Sequence, residues 1–462
     1  MKKILTVIFS FVSLAAFSQG EMTLPMMEHV YQSSYYIPTA VPDHKVSIGL
    51  PIISSFKVGF INTGFLPTTG FEKQNGVTVF NVNKFVNSMP SNNYLHIGNQ
   101  IDFFHLRLKW RNSFLSFDAG NTTDINLNIP QSVFQFATFQ WSEQGSEAGR
   151  LFDFSTLNTQ ILSYNHYSIG LNKMFKNFNI GGRFNLLQGI AAVNVYSDNL
   201  KIGVTSEAIS LSSSATVNTS GINAISNDPS QLAAQFNNLG GSVDLGLSYK
   251  LRERFFLGFS ASNIGFIDWK NDIENTKYSQ SQTKGPFTGI DAFGPIIRGD
   301  SLENVDFADS LSTYFSTGTD TTAKRTSFRT WLTPRLYFSA NYKVTNRFNV
   351  SAMLKLERYI EWRAALTLGA QYKFGRILSV ILSSTYQYEN ITFGGGIVLK
   401  PGPFQIYVVS DNIFATRYNL EEFAGQKIPV ALPYDAKMFN IRVGMNLVFG
   451  KILSPKKQSF NY

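Results

Sequence analysis

The chain of 462 residues contains no cysteine. This absence excludes disulfide bonds, thiolate metal sites and attachment of a lipid through a cysteine side chain. Charged residues are scarce, at 15% of the sequence. After the first twenty residues, no stretch approaches the roughly 18 apolar residues of a membrane-spanning helix. A bundle of membrane helices and a disulfide-stabilised scaffold are therefore both excluded.

The first twenty residues have the order of a secretory signal. Lys2 and Lys3 precede an apolar stretch over residues 4–17, and Ala16-Phe17-Ser18 matches a small-x-small cleavage site. We therefore expect a signal peptide over residues 1–18 that is cleaved on export to the cell outer membrane. Nucleic acid is not expected as a partner of an exported chain. The formal net charge is +9. The excess basic residues either contact anionic lipid headgroups or are unpatterned surface charge, and both interpretations stay open.

Runs with a strict two-residue alternation fill the C-terminal third of the chain, residues 335–449. In residues 362–374, Leu366 and Leu368 share one face, while Thr367 and Gln371 share the other. A period of two indicates strands with different environments on their two faces. The runs exceed the usual strand of about 5–6 residues and suit the about 9–11 that cross a bilayer. Because one face is apolar and the other carries charges, lipid outside and water inside explain the pattern.

The sequence thus predicts an all-β fold, a transmembrane antiparallel β-barrel of about 14 strands within a range of roughly 12–16. The barrel is expected over residues 45–450, with a periplasmic C-terminal tail at 451–462. Long polar stretches at 197–241 and 268–333 predict extracellular loops, and residues 64–91 also have the composition of a loop. The alternation of crossing directions fails after residue 180 unless residues 197–241 contain a projecting pair of strands.

An N-terminal segment over residues 19–44 follows the predicted signal. It is apolar without a period, and Pro25, Pro38 and Pro42 interrupt it. A free periplasmic tail is expected to be more polar than this. The segment either folds into the barrel lumen as a plug or wraps the periplasmic rim, and the sequence leaves both open. The candidate plug residues are Met26, Met27, Tyr31, Tyr35 and Tyr36.

One predicted strand, residues 101–110, places Phe103, His105, Arg107 and Lys109 on its lumen face. These side chains form either an anion-attracting stripe or ordinary lumen polarity paired with carboxylates such as Asp102 or Asp118. We favour the second reading. A hairpin turn at residues 359–361 sets Glu357 opposite Arg363 as a lumen ion pair. The further candidate lumen-lining residues are His166, Lys355, Glu357, Arg363 and Arg442.

No pattern in the sequence indicates catalysis, a cofactor or a metal. None of the five histidines lies in a G-x-S-x-G or H-E-x-x-H context. A lone inward histidine such as His166 is more often a hydrogen-bonded residue than a base. Gly394-Gly395-Gly396 lacks the continuation of a phosphate loop and is expected to relieve crowding in the barrel wall. We predict no catalytic, cofactor-binding or metal site, and no cofactor.

Several segments, taken in order, resemble an uncharacterised family of Bacteroidota outer-membrane barrels, a domain of unknown function. The segments are Gln32-Ser33-Ser34-Tyr35, Ile48-Gly49-Leu50-Pro51, His166-Tyr167-Ser168-Ile169-Gly170, Gly181-Gly182-Arg183-Phe184-Asn185, Val243-Asp244-Leu245-Gly246 and Gly265-Phe266-Ile267-Asp268-Trp269. The family is similar in architecture to long-chain fatty acid transporter barrels and to barrel components of type IX secretion. The chain departs from the family pattern at Ile37-Pro38-Thr39, where Asn-Pro-Ala is usual.

The pattern and the resemblance together imply a channel or transporter for small or hydrophobic solutes. The alternative is a non-transporting accessory barrel in an envelope secretion or assembly complex. An envelope enzyme ranks third, because no nucleophile and base converge. The expected partners are outer-membrane lipid and lipopolysaccharide, joined by envelope proteins if the barrel is an accessory subunit.

Overall fold

The computed structural model describes residues 21–27, 29–51, 53–64, 66–74, 77–138, 149–204, 209–222, 237–284, 320–358, 362–414 and 437–451. The predicted signal peptide, the turn at residues 359–361 and nearly all of the predicted C-terminal tail lie outside these ranges. The described residues are dominated by antiparallel strands.

The strands are, in chain order, β1 (His44–Gly49), β2 (Phe56–Asn62), β3 (Phe71–Gln74), β4 (Val77–Phe80), β5 (Asn92–Trp110), β6 (Ser113–Pro130), β7 (Arg150–Asp153), β8 (Asn158–Met174), β9 (Phe178–Val204), β10 (Ile209–Ser220), β11 (Leu239–Arg252), β12 (Phe255–Trp269), β13 (Ile273–Lys284), β14 (Asp320–Lys324), β15 (Phe328–Trp331), β16 (Arg335–Lys343), β17 (Phe348–Arg358), β18 (Trp362–Phe374), β19 (Leu378–Gln387), β20 (Asn390–Leu399), β21 (Phe404–Ser410) and β22 (Met438–Lys451). The α-helices of the described residues are α1 (Val82–Ser88) and α2 (Gln131–Ala137). Short 3-10 turns span Leu24–Met26, Tyr31–Tyr35 and Pro67–Gly70. Within the described part of the chain, no helix has both the length and the apolarity needed to cross a bilayer.

The strands close into a 14-strand antiparallel barrel, as the sequence predicts. Around the wall the order is β1 with β2, then β5, β6, β8, β9, β11, β12, β15 with β16, and β17 to β22 in succession. Closure comes from β22, which pairs with both β1 and β2. The first crossing is interrupted between β1 and β2, which end at Gly49 and begin again at Phe56.

The two faces of the wall differ in polarity. On β18 the outward Leu366 is 48% exposed, whereas the inward Thr367 is fully buried. The same alternation runs through β17, and through β19 from Ile381 onward. Apolar side chains therefore cover the outside and polar side chains face the lumen, and the assignment of faces in the C-terminal third is confirmed.

The two ends of the barrel also differ. At one, the short-turn end, a few residues connect consecutive strands, as between β16 and β17 or between β20 and β21. At the other, the long-loop end, the 27-residue strand β9 continues past its pairing with β11 and pairs with the returning β10. This hairpin is the projecting pair of strands expected within residues 197–241. The alternation of crossing directions does not depend on it, because β9 and β11 are themselves antiparallel neighbours in the wall.

Several sequence expectations at the long-loop end and on β5 are wrong. Residues 268–333 contain β13, β14 and β15 as well as loop, and residues 64–91 contain β3, β4 and α1. The strand β13 pairs with β10, and both are rich in serine, threonine and asparagine on each face, so no apolar alternation marks them. Phe103 points outward with 39% exposure, because a bulge between Asp102 and Phe104 shifts the faces of β5.

Candidate functional site

Residues 21–27 and 29–43 lie inside the barrel, and we name them the lumen segment. Of the two alternatives left by the sequence, plug or rim, the geometry is that of a plug. The proline at the start of the first 3-10 turn and the two short turns keep the segment from continuing as a strand. Its buried apolar side chains are Met22, Leu24, Met26, Met27, Val30, Tyr31, Tyr35 and Tyr36.

The first residues of the lumen segment are bound to the wall near the long-loop end. The Nε of Arg442 lies 2.7 Å from the Oε1 of Glu21, and both side chains are buried. The backbone N–H groups of Met22 and Thr23 donate to the carboxylate of Asp411 at 2.9 and 2.7 Å. Removing one partner of a buried ion pair costs several kcal/mol, because the other charge is left buried and unpaired.

The tyrosines of the lumen segment bind carboxylates of β5 and β6. The hydroxyl of Tyr31 donates to Asp118 at 3.2 Å, and the hydroxyl of Tyr35 donates to Asp102 at 2.5 Å. The ring of Tyr31 also stacks on His105 with centroids 3.9 Å apart. The predicted plug tyrosines and the predicted lumen residue His105 therefore belong to one contact.

Side chains of the wall also bind the backbone of the lumen segment. Arg107 donates to the carbonyl of Ala40 at 2.6 Å, and Asn172 donates to the carbonyl of Pro38 at 3.0 Å. Ser260 donates to the carbonyl of Tyr36 at 2.7 Å. These bonds fix a stretch that has no regular secondary structure, because an unpaired buried carbonyl is costly.

The lumen segment leaves the barrel at the short-turn end beside Asp43. The Nδ1 of His29 lies 2.8 Å from the Oδ1 of Asp43, and the Nζ of Lys400 lies 3.4 Å from the Oδ2. Burial acts to raise the pKa of Asp43, but the hydrogen bond with His29 and the charge of Lys400 outweigh it. The pKa of this carboxyl therefore lies well below its ordinary value.

Glycines of the wall make room for the lumen segment. A Cβ atom on Gly394 would lie 2.4 Å from the hydroxyl of Thr23, and one on Gly369 would lie 2.6 Å from the sulfur of Met26. One on Gly396 would lie 2.9 Å from the sulfur of Met27. Gly394 and Gly396 of the triple glycine thus relieve crowding against the segment inside the barrel.

A polar cavity, here named the chamber, lies between the lumen segment and the long-loop end. Its free volume is about 60 Å³, enough for a few water molecules. Tyr35 and Tyr36 form its floor, and its walls include Lys57, Gln100, Asp124, His166, Arg183 and Arg335. Three members of an apolar cluster also line it, Tyr164, Leu187 and Leu332, and the other members of the cluster are Leu162, Ala192, Ile267 and Trp269.

A second cavity, the lower pocket, lies between the lumen segment and the inner face of β11, β12 and β16. Its free volume is about 200 Å³, and its lining includes Met26, Met27, Ile37, Asn341 and Lys343. Chamber and lower pocket are separated by residues 36–38, a barrier of three residues. The wall facing this barrier is made of small residues, since Pro38 lies against Gly181 and Gly246.

The candidate lumen residues of β8, β16 and β17 occupy two places. The Nε2 of His166 faces the chamber 3.7 Å from the Oδ1 of Asp118. On β17 the Nζ of Lys355 lies 2.8 Å from the Oε2 of Glu357, which also lies 3.5 Å from the Nε of Arg335.

On β18, Arg363 faces Glu357 in the strand pairing, as the predicted hairpin requires. Its guanidinium lies over the rings of Tyr94 and Tyr388, 4.2 and 5.3 Å from their centroids. Lys109 is half-buried at the short-turn end of β5. The sequence therefore finds these inward positions but not the groups that each one contacts.

The sequence analysis missed Glu21, Lys57 and Asp411. Met22 and Asp411 are 389 positions apart in the chain, so no local pattern connects them. A lone carboxylate just after an apolar signal is a weak hint of a buried partner. In the described ranges, no group of three or more histidine, aspartate or glutamate residues could hold a metal ion.

Comparison with known sequences adds one decisive match, over residues 38–411, to a family of unknown function. The chain belongs to this family, DUF5723. No curated protein matches it in sequence. The match covers most of the barrel and part of the lumen segment.

Solved structures similar to the DUF5723 chain are barrels with low sequence identity. The toluene transporter TbuX of Ralstonia pickettii is 9% identical, with 94% of this chain and 95% of that chain covered and a TM-score of 0.42. The toluene transporter TodX of P. putida is 10% identical, with 95% and 96% covered and a TM-score of 0.41. The monoaromatic hydrocarbon channel CymD is 10% identical, with 89% and 91% covered and a TM-score of 0.33. At these values the likeness says nothing about what this chain binds.

Proposed function

We propose that the protein is an outer-membrane channel or transporter for small solutes in which the lumen segment is the gate. The observation that carries this proposal is a closed barrel whose lumen is blocked by a segment not paired with the wall. Among the described residues, the backbone-to-backbone hydrogen bonds of the lumen segment run within the segment itself. It is held by side chains, and water can replace such bonds one at a time without breaking a strand.

The size of the barrel supports a gate. A barrel of about 14 strands is too wide for its own inward side chains to fill. Removing the lumen segment would therefore leave an open passage. Cavities already lie on both sides of residues 36–38, so a displacement of this short stretch would join them.

The proposal includes an orientation of the barrel in the outer membrane. The outward apolar side chains would face membrane lipid, with the short turns in the periplasm and the long loops outside near lipopolysaccharide. Export would use the predicted signal peptide over residues 1–18. This orientation follows the usual one for bacterial barrels, and it places the exit of the lumen segment at Asp43 on the periplasmic side.

A non-transporting accessory barrel is the second candidate function. The observation that favours it is the number of attachments between the lumen segment and opposite sides of the wall, including Arg442, Asp102 and Ser260. A permanently filled lumen would need all of them. An envelope enzyme remains the least supported candidate, since no nucleophile and base have been identified in the chamber.

Deletion of residues 22–42 behind an intact signal tests the gate. We expect the deleted protein to reach the outer-membrane fraction, to migrate in a heat-modifiable way on gels, and to give higher conductance in planar bilayers than the full chain. Heat-modifiable migration is the control that the barrel still assembles. An assembled barrel that stays closed after the deletion would refute the gate and favour the accessory barrel.

A further inference from the structure

The chamber contains one cation whose charge is offset only by carboxylates that do not contact it, Glu21 and Asp124. Lys57 lines the chamber and is only 6% exposed. No hydrogen bond or ion pair connects its amine to another described residue. A buried ammonium is costly unless it is paired, so the position calls for an anionic partner.

The position of Arg442 explains why Lys57 lacks an ion-pair partner. Lys57 on β2 stands directly opposite Arg442 on β22 in the strand pairing, and like charges in such positions repel. Glu21 is the carboxylate between these strands, and it binds the Nε of Arg442 at 2.7 Å. Arg442 thereby has an ion-pair partner, whereas Glu21 attracts the amine of Lys57 only from a longer distance.

The other charged groups of the chamber are engaged with partners. Arg183 lies 2.7 Å from Asp244, and Arg335 lies 3.5 Å from Glu357. Asp124, the carboxylate that lines the chamber, lies 3.8 Å from the Nε2 of His96. Because these groups are paired, Lys57 is the group that a bound anion would contact. Asp124 would repel that anion.

We propose that the chamber binds a small monocarboxylate, with the carboxylate on Lys57. The free volume of about 60 Å³ suits a molecule of the size of acetate. Asn99 and Gln100 also line the chamber and have amide groups that donate hydrogen bonds to carboxylate oxygens. A hydrocarbon would leave these polar groups and Lys57 without partners, which is unfavourable.

The lower pocket fits the same class of solute. Its apolar lining includes Met26, Met27 and Ile37, and Lys343 also lines it. A short carboxylate has one charged end and one apolar end, so it would find suitable contacts on both sides of residues 36–38. This site names the solute class of the proposed channel and rests on that function for its role, although binding itself requires no transport.

Thermal unfolding of the full-length protein in detergent micelles tests the site. A ligand that binds the folded state raises the Tm in proportion to the logarithm of its concentration above Kd. The probes are sodium acetate and the neutral, similarly shaped acetamide, with ionic strength held constant by sodium chloride. We expect acetate to raise the Tm and acetamide to leave it unchanged. Equal effects of the two would overturn the proposal.

Three variants locate the binding. Lys57→Met should weaken acetate binding at least tenfold, because the cation is removed and the length of the side chain is kept. Lys201→Met, which removes a lysine paired with Asp153 outside the chamber, should bind acetate like the parent protein. Asp124→Asn should tighten binding several-fold, because a repelling carboxylate is neutralised.

The variants also separate this proposal from the proposed function. Unchanged acetate binding in Lys57→Met would refute the site even if the gate deletion raises conductance. If Lys57→Met does not fold, acetate binding to Asp124→Asn that is no tighter than the parent would refute it. A closed barrel after the gate deletion would leave measured acetate binding untouched.

Discussion

The two sides of the barrel hold the lumen segment by different means. The inner face of β16 to β21 contains an apolar wall that packs on the methionines and tyrosines of the segment, and Ser383 and Gln405 on the same strands add hydrogen bonds to it. Its members are Tyr337, Met353, Ala365, Ile381, Val398, Tyr407 and Val409. The inner face of β5 to β12 is a polar wall that binds the segment by hydrogen bonds and charges. Its members include Asp102, Arg107, Asp118, Asn172 and Ser260.

This difference gives the two walls different roles: the apolar wall attracts the lumen segment, and the polar wall fixes its position. Apolar contact is non-directional and scales with the area buried, so the apolar wall attracts the segment over a range of positions. Hydrogen bonds weaken steeply with distance and angle, so the polar wall holds one position. A small displacement would break the polar contacts first, and we expect the segment to move away from β5 to β12 while it remains on β16 to β21.

The largest effect is expected at β22, where the two walls meet. Arg442→Met removes the partner of Glu21 and leaves a buried carboxylate, which costs about 3–5 kcal/mol. We expect the amides of the lumen segment to lose most of their protection in hydrogen exchange, while the strands of the wall keep theirs. Unchanged protection of the segment would show that the ion pair does not hold it.

A matched control separates the lost ion pair from a general disturbance of the lumen. The double variant Glu21→Gln with Arg442→Met removes both charges of this pair, so it should recover part of the protection lost in Arg442→Met alone. A double variant no better protected than Arg442→Met would mean that the carboxylate is not the cause. Arg442 also contacts Ser55 and Gln100, so recovery should be partial.

The apolar wall is tested by Ile381→Ala, with a smaller expected effect. Truncating a buried isoleucine costs roughly 2–5 kcal/mol, and we expect about 2–3 kcal/mol because Ile381 faces the segment from one side only. Protection should fall evenly along residues 22–31, without a change in the position of the segment. Leu382→Ala, on the outward face of the same strand with 61% exposure, should leave the protection of the segment unchanged. An equal loss in both variants would contradict the assignment of the apolar wall.

The sequence predicts the apolar wall far better than the polar one. Strands β17 to β19 pair without a register shift, so each side chain stays on the face that a period of two assigns. On β5 the bulge at Asp102 and Phe104 breaks that period, and Phe103 points the other way. The first crossing is divided into β1 and β2, so neither half shows a long alternation.

For the lumen segment, the sequence predicts burial from composition but does not predict the contacts. An apolar stretch rich in tyrosine and proline indicates burial, and Tyr31, Tyr35 and Tyr36 are buried. Their partners are set by the closure of the barrel. Tyr35 and Asp102 are 67 positions apart, and Glu21 and Arg442 are 421 positions apart. A pattern along the chain contains no information on which inward side chains meet across a lumen.

The smallest effect is expected from Ser260→Ala on the polar wall, and it bears most directly on the gate. Ser260 is 1% exposed and donates to the carbonyl of Tyr36, one of the three residues between the chamber and the lower pocket. Losing this bond costs about 0.5–1.5 kcal/mol, which is about a two- to tenfold rise in the population of the displaced state. We expect more frequent brief openings in planar bilayers, with overall stability nearly unchanged. Ser262→Ala is the control, because Ser262 lies two positions along the same strand and lines the chamber. If both variants open equally often, or if neither opens more than the parent, the polar wall does not hold the gate.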